Sequence, residues 1–425
     1  MEIENVMCKT GARFMQDISN TDLACLRERV RSHLLGHILP FWCGPAVDHD
    51  QGGWLAWMSN DLQTDRSQPK GLIVNSRILW AFSAVCRFQQ DSTLEQMAER
   101  AFGVVMHKFW DPAYGGAFWR LAGDGLVVDD SKKTYGQAFY IYALAEHFRS
   151  FAQIEALERA KALFELIEGH AHDQEGLGYW EVRNRDWSET TDTRLSEKDL
   201  NEKKSMNNHL HVLEAYANLY RVWPNPRVAT RLRELIELFQ NRILDPTAAH
   251  LHHFFDEKWQ VRSDTHTFGH DIEASWLLCE AAEVLGDAAL RIQLDTLAVR
   301  MAEAVLREGL DPDGGLCYEG KNGGVIDAGK ECWPQAEAVV GFLNAYQISG
   351  DARYFQAARQ VWAYIESRLM DRTHGEWFWR IKPDGTLDQS LPKVGEWKGP
   401  YHGTRACLET IRRLDKLSAK THHPI

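Results

Sequence analysis

The feature that most constrains the fold is a motif of glycine and aromatic residues that returns six times along the chain. Its copies read DHDQGGWLAW (48–57), DPAYGGAFWRL (111–121), DQEGLGYWEV (173–182), AHLHHFFDE (249–257), DPDGGLCYEG (311–320) and RTHGEWFWRI (372–381). A turn glycine followed by alternating aromatic and polar residues is typical of a short β-hairpin. The fourth copy has lost its glycine and is the weakest. The spacings between copies are 63, 62, 76, 61 and 60 residues, which indicates six repeats of one structural unit.

Helical periodicity fills the space between the hairpins. A strongly apolar helix is predicted after each hairpin, at 71–87, 134–148, 206–221, 271–285, 334–348 and 401–414. A more amphipathic helix is predicted before each hairpin, at 22–39, 94–109, 152–167, 227–243, 288–306 and 352–369. Apolar helices are buried and amphipathic helices face solvent. The pattern therefore predicts an all-α fold, an (α/α)6 barrel with an inner and an outer ring, and an open superhelix of helix pairs is the alternative.

The repeats predict one catalytic domain over residues 21–416, flanked by tails at 1–20 and 417–425. The longest interval between repeats contains a charged insert, 184–204, which is expected to be an extended loop on the pocket side that could act as a lid.

Composition excludes several classes of partner. The net charge is −12 and the pI about 5.8, which argues against nucleic acid and anionic membrane surfaces. The chain contains no apolar stretch long enough to span a membrane, and its first twenty residues lack the pattern of a signal peptide. The eight cysteines are scattered without a CxxC pair, so reduced thiols in a cytoplasmic protein are expected. A monomer is expected, and a homodimer is the alternative.

Polar residues interrupt each predicted inner helix near its start. They are Asn75 and Arg77, Tyr135 and Gln137, Asn207 and His211, His270 and Glu273, Trp333, Gln335 and Glu337, and His402 and Arg405. One polar residue there would be a helix cap, whereas six sets in register form a pocket at one mouth of the barrel.

Three histidines, His211, His270 and His402, enter this ring from separate repeats, at positions taken as equivalent. They could bind zinc, but the chain has no HExxH pair, and acid–base chemistry suits histidine near neutral pH better. No metal and no cofactor are therefore expected. His250, His252 and His253 replace the fourth hairpin; they could also ligate a metal but are expected to line the surface or the rim.

At these residues the chain resembles the N-acylglucosamine 2-epimerase superfamily, and most closely its cellobiose 2-epimerase branch. The resemblance rests on PKGLIVNSRILWAFSA (69–84), KKTYGQAFYIYALAE (132–146), KSMNNHLHVLEAYANLY (204–220), FGHDIEASWLL (268–278), KECWPQAEAVVGFLNAY (330–346) and GEWKGPYHGTRACLE (395–409). It implies an (α/α)6 barrel, in agreement with the repeat count. One departure is Gly399, where cellobiose 2-epimerases usually have cysteine, and the segment 41–54 is also unusual. Both leave the sugar preference open.

The resemblance also implies roles for individual residues. His270 and His402 match the acid/base pair, and His211 matches a third histidine of the family. Candidate substrate-binding residues are Arg77, Tyr135, Asn207, Glu273, Trp333, Glu337 and Trp397. Further Trp platforms for a second sugar are expected at Trp180 and Trp187.

The expected reaction is 2-epimerisation of the reducing glucose of a disaccharide such as cellobiose or lactose. One histidine removes the C2 proton of the open-chain sugar, a cis-enediol(ate) forms, and a proton returns on the opposite face. The alternatives are a mannose 2-epimerase or isomerase and an N-acylglucosamine 2-epimerase. An inverting glycoside hydrolase using two of Asp271, Glu273 and Glu337, and a non-catalytic binding protein, are less favoured.

Overall fold

The computed structural model describes residues 18–421, with only the backbone described at residues 420 and 421. The expected N-terminal tail thus lies almost entirely outside the described residues, as do residues 422–425. No helix among the described residues is long and apolar enough to cross a membrane.

Helices dominate the fold. In chain order they are α1 (Asn20–His33), α2 (Leu39–Cys43), α3 (Leu72–Phe88), α4 (Ser92–Lys108), α5 (Thr134–Phe151), α6 (Ile154–His170), α7 (Met206–Val222), α8 (Pro226–Leu238), α9 (Phe268–Leu285), α10 (Ala288–Glu308), α11 (Cys332–Ser349), α12 (Ala352–Tyr364) and α13 (Tyr401–Thr421). Three π-helical turns, at Leu34–Ile38, Phe239–Ile243 and Ile365–Leu369, continue outer helices.

Six of these helices close into a ring. Helix α3 packs on α5, and the contacts continue through α7, α9, α11 and α13 back to α3. The outer helices α4, α6, α8, α10 and α12 each pack on the inner helix that precedes them, and α1 packs on α13. The (α/α)6 barrel is therefore confirmed and the open superhelix is excluded.

The sequence explains which helices lie inside. The inner helices are buried over nearly their whole length; all of the first fourteen residues of α5, for example, are buried. The outer helices α4, α8, α10 and α12 are amphipathic, and each begins at an Asp or Asn whose side chain accepts backbone hydrogen bonds. These caps start the exposed helices, whereas five of the inner helices continue directly from short strands.

The strands form a ring around one mouth of the barrel. They are β1 (Lys70–Gly71), β2 (Arg120–Leu121), β3 (Val127–Asp129), β4 (Lys132–Lys133), β5 (Val182–Arg183), β6 (Lys204–Ser205), β7 (Phe254–Phe255), β8 (His266–Thr267), β9 (Glu319–Lys321), β10 (Gly324–Asp327), β11 (Lys330–Glu331) and β12 (Arg380–Ile381). Each strand that leads into an inner helix pairs antiparallel with a strand of the next hairpin: β1 with β2, β4 with β5, β6 with β7, β8 with β9, and β11 with β12. A bridge between Met58 and Val394 closes the ring.

A buried lysine reinforces this ring in five of the six repeats. The lysine stands at or beside the strand that leads into the inner helix, and its ammonium contacts the first aspartate of a hairpin. The pairs are Lys70–Asp48 at 2.8 Å, Lys132–Asp111 at 3.0 Å, Lys204–Asp173 at 2.7 Å, Lys330–Asp311 at 2.5 Å and Lys393–Asp371 at 2.6 Å. In the fourth repeat the lysine is replaced by His266.

One difference between the predicted and the observed helix boundaries affects the site, and another affects the expected domain boundary. Helix α9 begins at Phe268, three residues before the predicted start, so His270 belongs to its first turn. Helix α13 extends to Thr421, past the expected domain boundary at residue 416.

Candidate active site

A cleft of about 510 Å³ lies at the mouth where the inner helices begin. Nine of the ten predicted site residues line it: Arg77, Tyr135, Asn207, His211, His270, Glu273, Trp333, Trp397 and His402. The tenth, Glu337, lies just behind this lining, where it contacts His402.

The position of a residue along its inner helix decides whether its side chain binds the backbone of a hairpin or faces the lumen of the barrel. At the fourth position of α5, α7, α9 and α11, the side chain accepts a hydrogen bond from a hairpin backbone N–H, whereas Asn75 in α3 donates to the carbonyl of Gly71 at 2.7 Å. The pairs are Gln137 with Ala117 (2.7 Å), His209 with Tyr179 (2.8 Å), Asp271 with Leu251 (2.8 Å) and Gln335 with Leu316 (2.7 Å). Gln137 and Gln335, expected in the pocket, therefore hold the hairpins instead.

The sixth position faces the lumen of the barrel. It is occupied by Arg77, Phe139, His211, Glu273 and Glu337 in helices α3, α5, α7, α9 and α11. His270 is the third residue of its helix, so His211 lies about one turn deeper than His270. The expectation that the three histidines occupy equivalent positions is thus wrong for His211, because α9 begins three residues earlier than its apolar pattern indicates.

His270 is held by the residue just before its helix. The hydroxyl of Thr267 lies 2.6 Å from Nδ1 of His270, and the backbone N–H of Thr267 donates to Nε2 of His253 at 3.1 Å. Burial lowers the pKa of His270 well below its usual value, and nearby His253 lowers it further. His270 is consequently neutral at pH 7, with Nε2 left for a ligand.

His402 is oriented by a carboxylate. Its Nδ1 lies 2.7 Å from Oε1 of Glu337, so Nδ1 carries the hydrogen and Nε2 is left for a ligand. Burial lowers the pKa of His402 well below its usual value, and the charges of Arg77 and Arg405 act in the same direction. The indole of Trp333 packs near both imidazoles, with ring centroids 4.7 Å from His270 and 5.6 Å from His402.

Arg405 is the centre of a buried cluster of carboxylates beneath the cleft. Its guanidinium contacts Glu214, Glu273 and Glu337, the last at 2.7 Å. Burial raises the pKa of Glu273, and repulsion from Glu337 adds to this, so that it reaches about 7. Burial also raises the pKa of Glu214, but Arg405 and His211 outweigh it and lower that pKa to about 2. Glu214 was missed in the sequence, although its spacing of three residues from His211 on one helix was a usable signal.

Several polar atoms in the cleft have no protein partner. Arg77 donates to the hydroxyl of Tyr135 at 2.9 Å and lies over the ring of Phe139, but it has no ion pair among residues 18–421. Its Nε is buried without a hydrogen bond, as are Oδ1 of Asn207 and Oε2 of Glu273. Buried polar groups are normally satisfied, so these three atoms are exceptions within the cleft.

The outer part of the cleft is aromatic and is partly covered by the insert. Trp379, Trp397 and residues 195–199 line it, and the ammonium of Lys133 holds the insert through the carbonyl of Leu195 at 2.9 Å. Trp187 was expected here, but it is buried against His170 and donates to the carbonyl of Tyr114. Trp180 also lies outside the cleft lining, where Lys204 and Arg183 contact its ring.

Two groups of side chains within the described part of the chain are close enough to share a metal ion. One is His250, His266 and Glu308, and the other is Glu273, Glu337 and His402. In the second group, Arg405 already contacts both carboxylates, and it contacts Glu214 as well. The three histidines considered for zinc do not form such a group.

Comparison with known proteins agrees with this architecture. Residues 53–406 match the sequence profile of the N-acylglucosamine 2-epimerase (GlcNAc 2-epimerase) family. The cellobiose 2-epimerase of Bacteroides fragilis is 42% identical over 388 residues, which cover 91% of this chain and 98% of that protein. The solved cellobiose 2-epimerase of Bacillus thermoamylovorans is 38% identical and superposes with a TM-score of 0.87 over 92% of this chain and 100% of that one. A solved D-mannose isomerase shares the fold at 20% identity, with a TM-score of 0.77 over 93% of this chain and 98% of that one.

Proposed function

Because the chain belongs to the N-acylglucosamine 2-epimerase family of carbohydrate epimerases, we propose that it inverts C2 of the reducing glucose in β-1,4-linked disaccharides such as cellobiose and lactose. The observation that carries the proposal is the pair of buried, neutral imidazoles, His270 and His402, beside a buried arginine without an ion pair, Arg77.

Two histidines suit a reaction that inverts a carbon centre. The open-chain sugar carries an acidic hydrogen on C2, next to the aldehyde. One neutral imidazole takes this proton through Nε2, and the electron pair moves into a cis-enediolate. The other imidazole takes a proton from solvent and delivers it to C2 on the opposite face, and the first imidazole then releases its proton to solvent. Because the reaction is reversible, each histidine serves as a base in one direction and as an acid in the other.

The low pKa values of both histidines fit this exchange of roles. A neutral imidazole is the form that can accept a proton, and burial keeps both rings in that form at pH 7. Once protonated, the same burial makes the imidazolium a strong acid, which favours delivery of the proton to the enediolate. Glu337 stabilises the cation transiently formed on His402 through its contact with Nδ1.

Arg77 is placed to stabilise the oxygen that gains negative charge. The rings of Phe139 and Tyr401 lie 4.4 and 5.1 Å from its guanidinium carbon, and Tyr135 accepts one of its hydrogens. These contacts fix the guanidinium without neutralising it, so its remaining donors are free for O1 and O2 of the enediolate. His211 and Asn207 border the same space and are proposed to hold neighbouring hydroxyls.

The two zones of the cleft support a disaccharide. The deep zone contains the histidines and Arg77 and would take the reacting sugar. The outer zone contains Trp379, Trp397 and residues 195–199, and tryptophan rings are good platforms for a second sugar ring. A monosaccharide would leave this outer zone without a contact.

The proposal is tested by incubating the protein with cellobiose, lactose, mannose and N-acetylglucosamine in D2O, with and without chelator, and following C2 by NMR. Deuterium at C2 together with the 2-epimer of the disaccharides is the expected result. A 2-ketose as main product would indicate an isomerase, and free glucose would indicate hydrolysis. Turnover of mannose or N-acetylglucosamine but not of cellobiose would refute the disaccharide preference.

Matched variants test the assignment of the histidines. His270→Asn and His402→Asn should each lower the rate of exchange at C2 by about 10²–10⁴-fold, the usual contribution of a general acid or base. His107→Asn, at an exposed position of α4, should retain full activity. Full exchange in either active-site variant would remove that histidine from the mechanism.

A monosaccharide epimerase or isomerase is the second candidate, because Gly399 lines the cleft at the position where cellobiose 2-epimerases usually have cysteine. A cytoplasmic location, the absence of a catalytic cofactor and a monomeric state, with a homodimer as the alternative, remain predictions.

A further inference from the structure

The fourth repeat differs from the other five at the buried ion pair that links a hairpin to the strand before the inner helix. In the other repeats a buried lysine contacts the first aspartate of a hairpin. In the fourth, His266 replaces that lysine, and Asp245, the first aspartate of the hairpin, has no lysine beside it among the ion pairs of the described residues. The hairpin differs as well. The carbonyl that accepts from the first aspartate's N–H belongs to glycine in four repeats but to His250 here.

The two histidines are buried together. His250 and His266 stack with ring centroids 3.7 Å apart, and each side chain is more than nine-tenths buried. The expectation that His250 lies on the surface or the rim is therefore wrong. Two carboxylates satisfy the nitrogens of this buried ring: Asp271 contacts Nδ1 at 2.7 Å and Glu308 contacts Nε2 at 3.0 Å. In contrast, Nε2 of His266 is buried without any hydrogen-bond partner.

We propose that His250, His266 and Glu308 bind a divalent transition-metal ion, with zinc as the best fit, and that this ion fastens the fourth hairpin in place of the lysine–aspartate pair. The site lies outside the catalytic cleft and does not depend on the sugar specificity proposed above. It revises the expectation that the chain holds no metal.

The donor set is that of a zinc site. Two imidazole nitrogens and one carboxylate oxygen lie within 4.8 Å of one another, and water would complete a tetrahedron. Ligand atoms of a tetrahedral zinc ion are about 3.3 Å apart. Because the two rings stack at an interplanar angle of 9°, one imidazole has to turn out of the stack to direct its lone pair at the ion that the other binds. On binding, the metal takes the position of the Nε2 hydrogen of His250, and that proton goes to solvent.

Asp271 supplies the support that metal-bound histidines usually have. Its Oδ2 accepts from Nδ1 of His250, which fixes the ring and directs Nε2 to the metal. Its Oδ1 accepts from the backbone N–H of Leu251 in the hairpin. The unpartnered Nε2 of His266 gains a partner in the same step. The ion would thus connect three elements, namely the hairpin, β8 and the end of α10.

The location also connects the ion with the catalytic residues. His266 and Thr267 form β8, and the hydroxyl of Thr267 contacts Nδ1 of His270. A metal bound at His266 therefore holds the strand that positions His270.

The test uses the full-length protein stripped with a chelator and then titrated with Co2+, a spectroscopic substitute for zinc. The expected result is the absorption of tetrahedral cobalt at one ion per chain, which added Zn2+ abolishes, and a higher unfolding temperature with Zn2+. A double variant, His250→Gly with His266→Lys, gives the fourth repeat the residues of the others. It should fold with a cooperative unfolding transition but show neither effect, whereas His252→Gln in the same hairpin should behave as the parent protein does.

Three outcomes would overturn the proposal. The first is the absence of tetrahedral cobalt absorption at stoichiometric metal. The second is persistence of that absorption in the double variant. The third is its loss in His402→Asn instead, which would place the ion at Glu273, Glu337 and His402 in the catalytic cleft. If the double variant does not fold, His266→Gln, which keeps a polar side chain of similar size, is the replacement, and retention of the cobalt spectrum there has the same meaning.

Discussion

Replacing Glu337 by glutamine tests whether the carboxylate beneath the cleft assists proton transfer. Glu337 is fully buried, and its Oε1 lies 2.7 Å from Nδ1 of His402 and 2.7 Å from a guanidinium nitrogen of Arg405. Its Oε2 accepts from Trp276 at 3.2 Å. Glutamine has the same size and keeps an acceptor oxygen, so the change removes the negative charge with little change in packing.

The expected fall in kcat follows from the strength of the hydrogen bond between His402 and Glu337. A hydrogen bond to a charged group contributes about 1.5–3 kcal/mol, and here it acts only when His402 carries a proton. Since about 1.4 kcal/mol corresponds to a tenfold change in rate, kcat should fall by about 10- to 150-fold. KM should change little, because the interaction is stronger in the transition state than in the substrate complex. Loss of the charge lowers the pKa of His402 further, so the acidic limb of the kcat profile should move to lower pH.

The assay is the initial rate of epilactose formation from lactose across a range of pH. The control is Glu146→Gln, which removes a buried glutamate from the opposite end of the same lumen, where it pairs with Arg87 and Arg149. A kcat for Glu337→Gln within about twofold of the parent value, or an equal loss in Glu146→Gln, would refute the reasoning, because either result separates the rate from the contact with His402.

Three further predictions concern charged residues. Arg77→Lys should lower kcat/KM by at least about tenfold, because a lysine cannot present the planar set of donors, whereas Arg87→Lys on the same helix should not; both are read from initial rates. Arg405→Met leaves three buried carboxylates without their cation and should lower the free energy of unfolding by about 3–5 kcal/mol in denaturant titrations. Burial raises the pKa of Glu273 from 4.5 to about 7. The protonated carboxyl therefore adds to the free energy of unfolding in full below pH 4.5, and this contribution is lost as the pH rises to 7. Denaturant titrations between pH 4.5 and 7 should show this loss, about 3 kcal/mol, in the parent protein but not in Glu273→Gln. The same pH dependence in both proteins would contradict the assignment of the raised pKa to Glu273.

The fold could be predicted from the sequence because the signal repeats. Any one hairpin motif is weak, but six copies at nearly constant spacing, each between an apolar and an amphipathic helix, leave few architectures. The fourth copy illustrates this. Ala249 adopts a left-handed φ of 61°, as Gly52 and Gly115 do at the same position. His250, at the place of the lost glycine, does not, and the bridge between Leu244 and Leu251 still forms. Neighbouring repeats impose the conformation that the local sequence does not favour.

The residues of the site could be predicted as a set, but their contacts could not. Sequence places polar residues at the start of each inner helix; it does not distinguish Gln137, which holds a hairpin, from Tyr135 two residues earlier, which faces the cleft. That distinction needs the rotation of the helix, which depends on its first residue. Trp187 was misplaced for a related reason, because the path of a 21-residue insert is set by contacts with Tyr114 and His170 that are distant in sequence.

The division of labour among helix positions explains how one repeated unit acquired a single reaction centre. In four of the six inner helices the side chain at the fourth position holds the backbone of a hairpin, and these side chains are acceptors, such as Gln137 and Gln335. The sixth position faces the lumen and supports no backbone, and there the repeats differ widely, as Arg77 and Glu273 show. Residues of the reaction centre such as Arg77 and Glu273 therefore lie at the position where a change of side chain disturbs the barrel least. Asp271 differs from the other residues at the fourth position, because it holds its hairpin and also contacts the buried His250. It belongs to the one repeat in which the buried lysine is replaced by histidine.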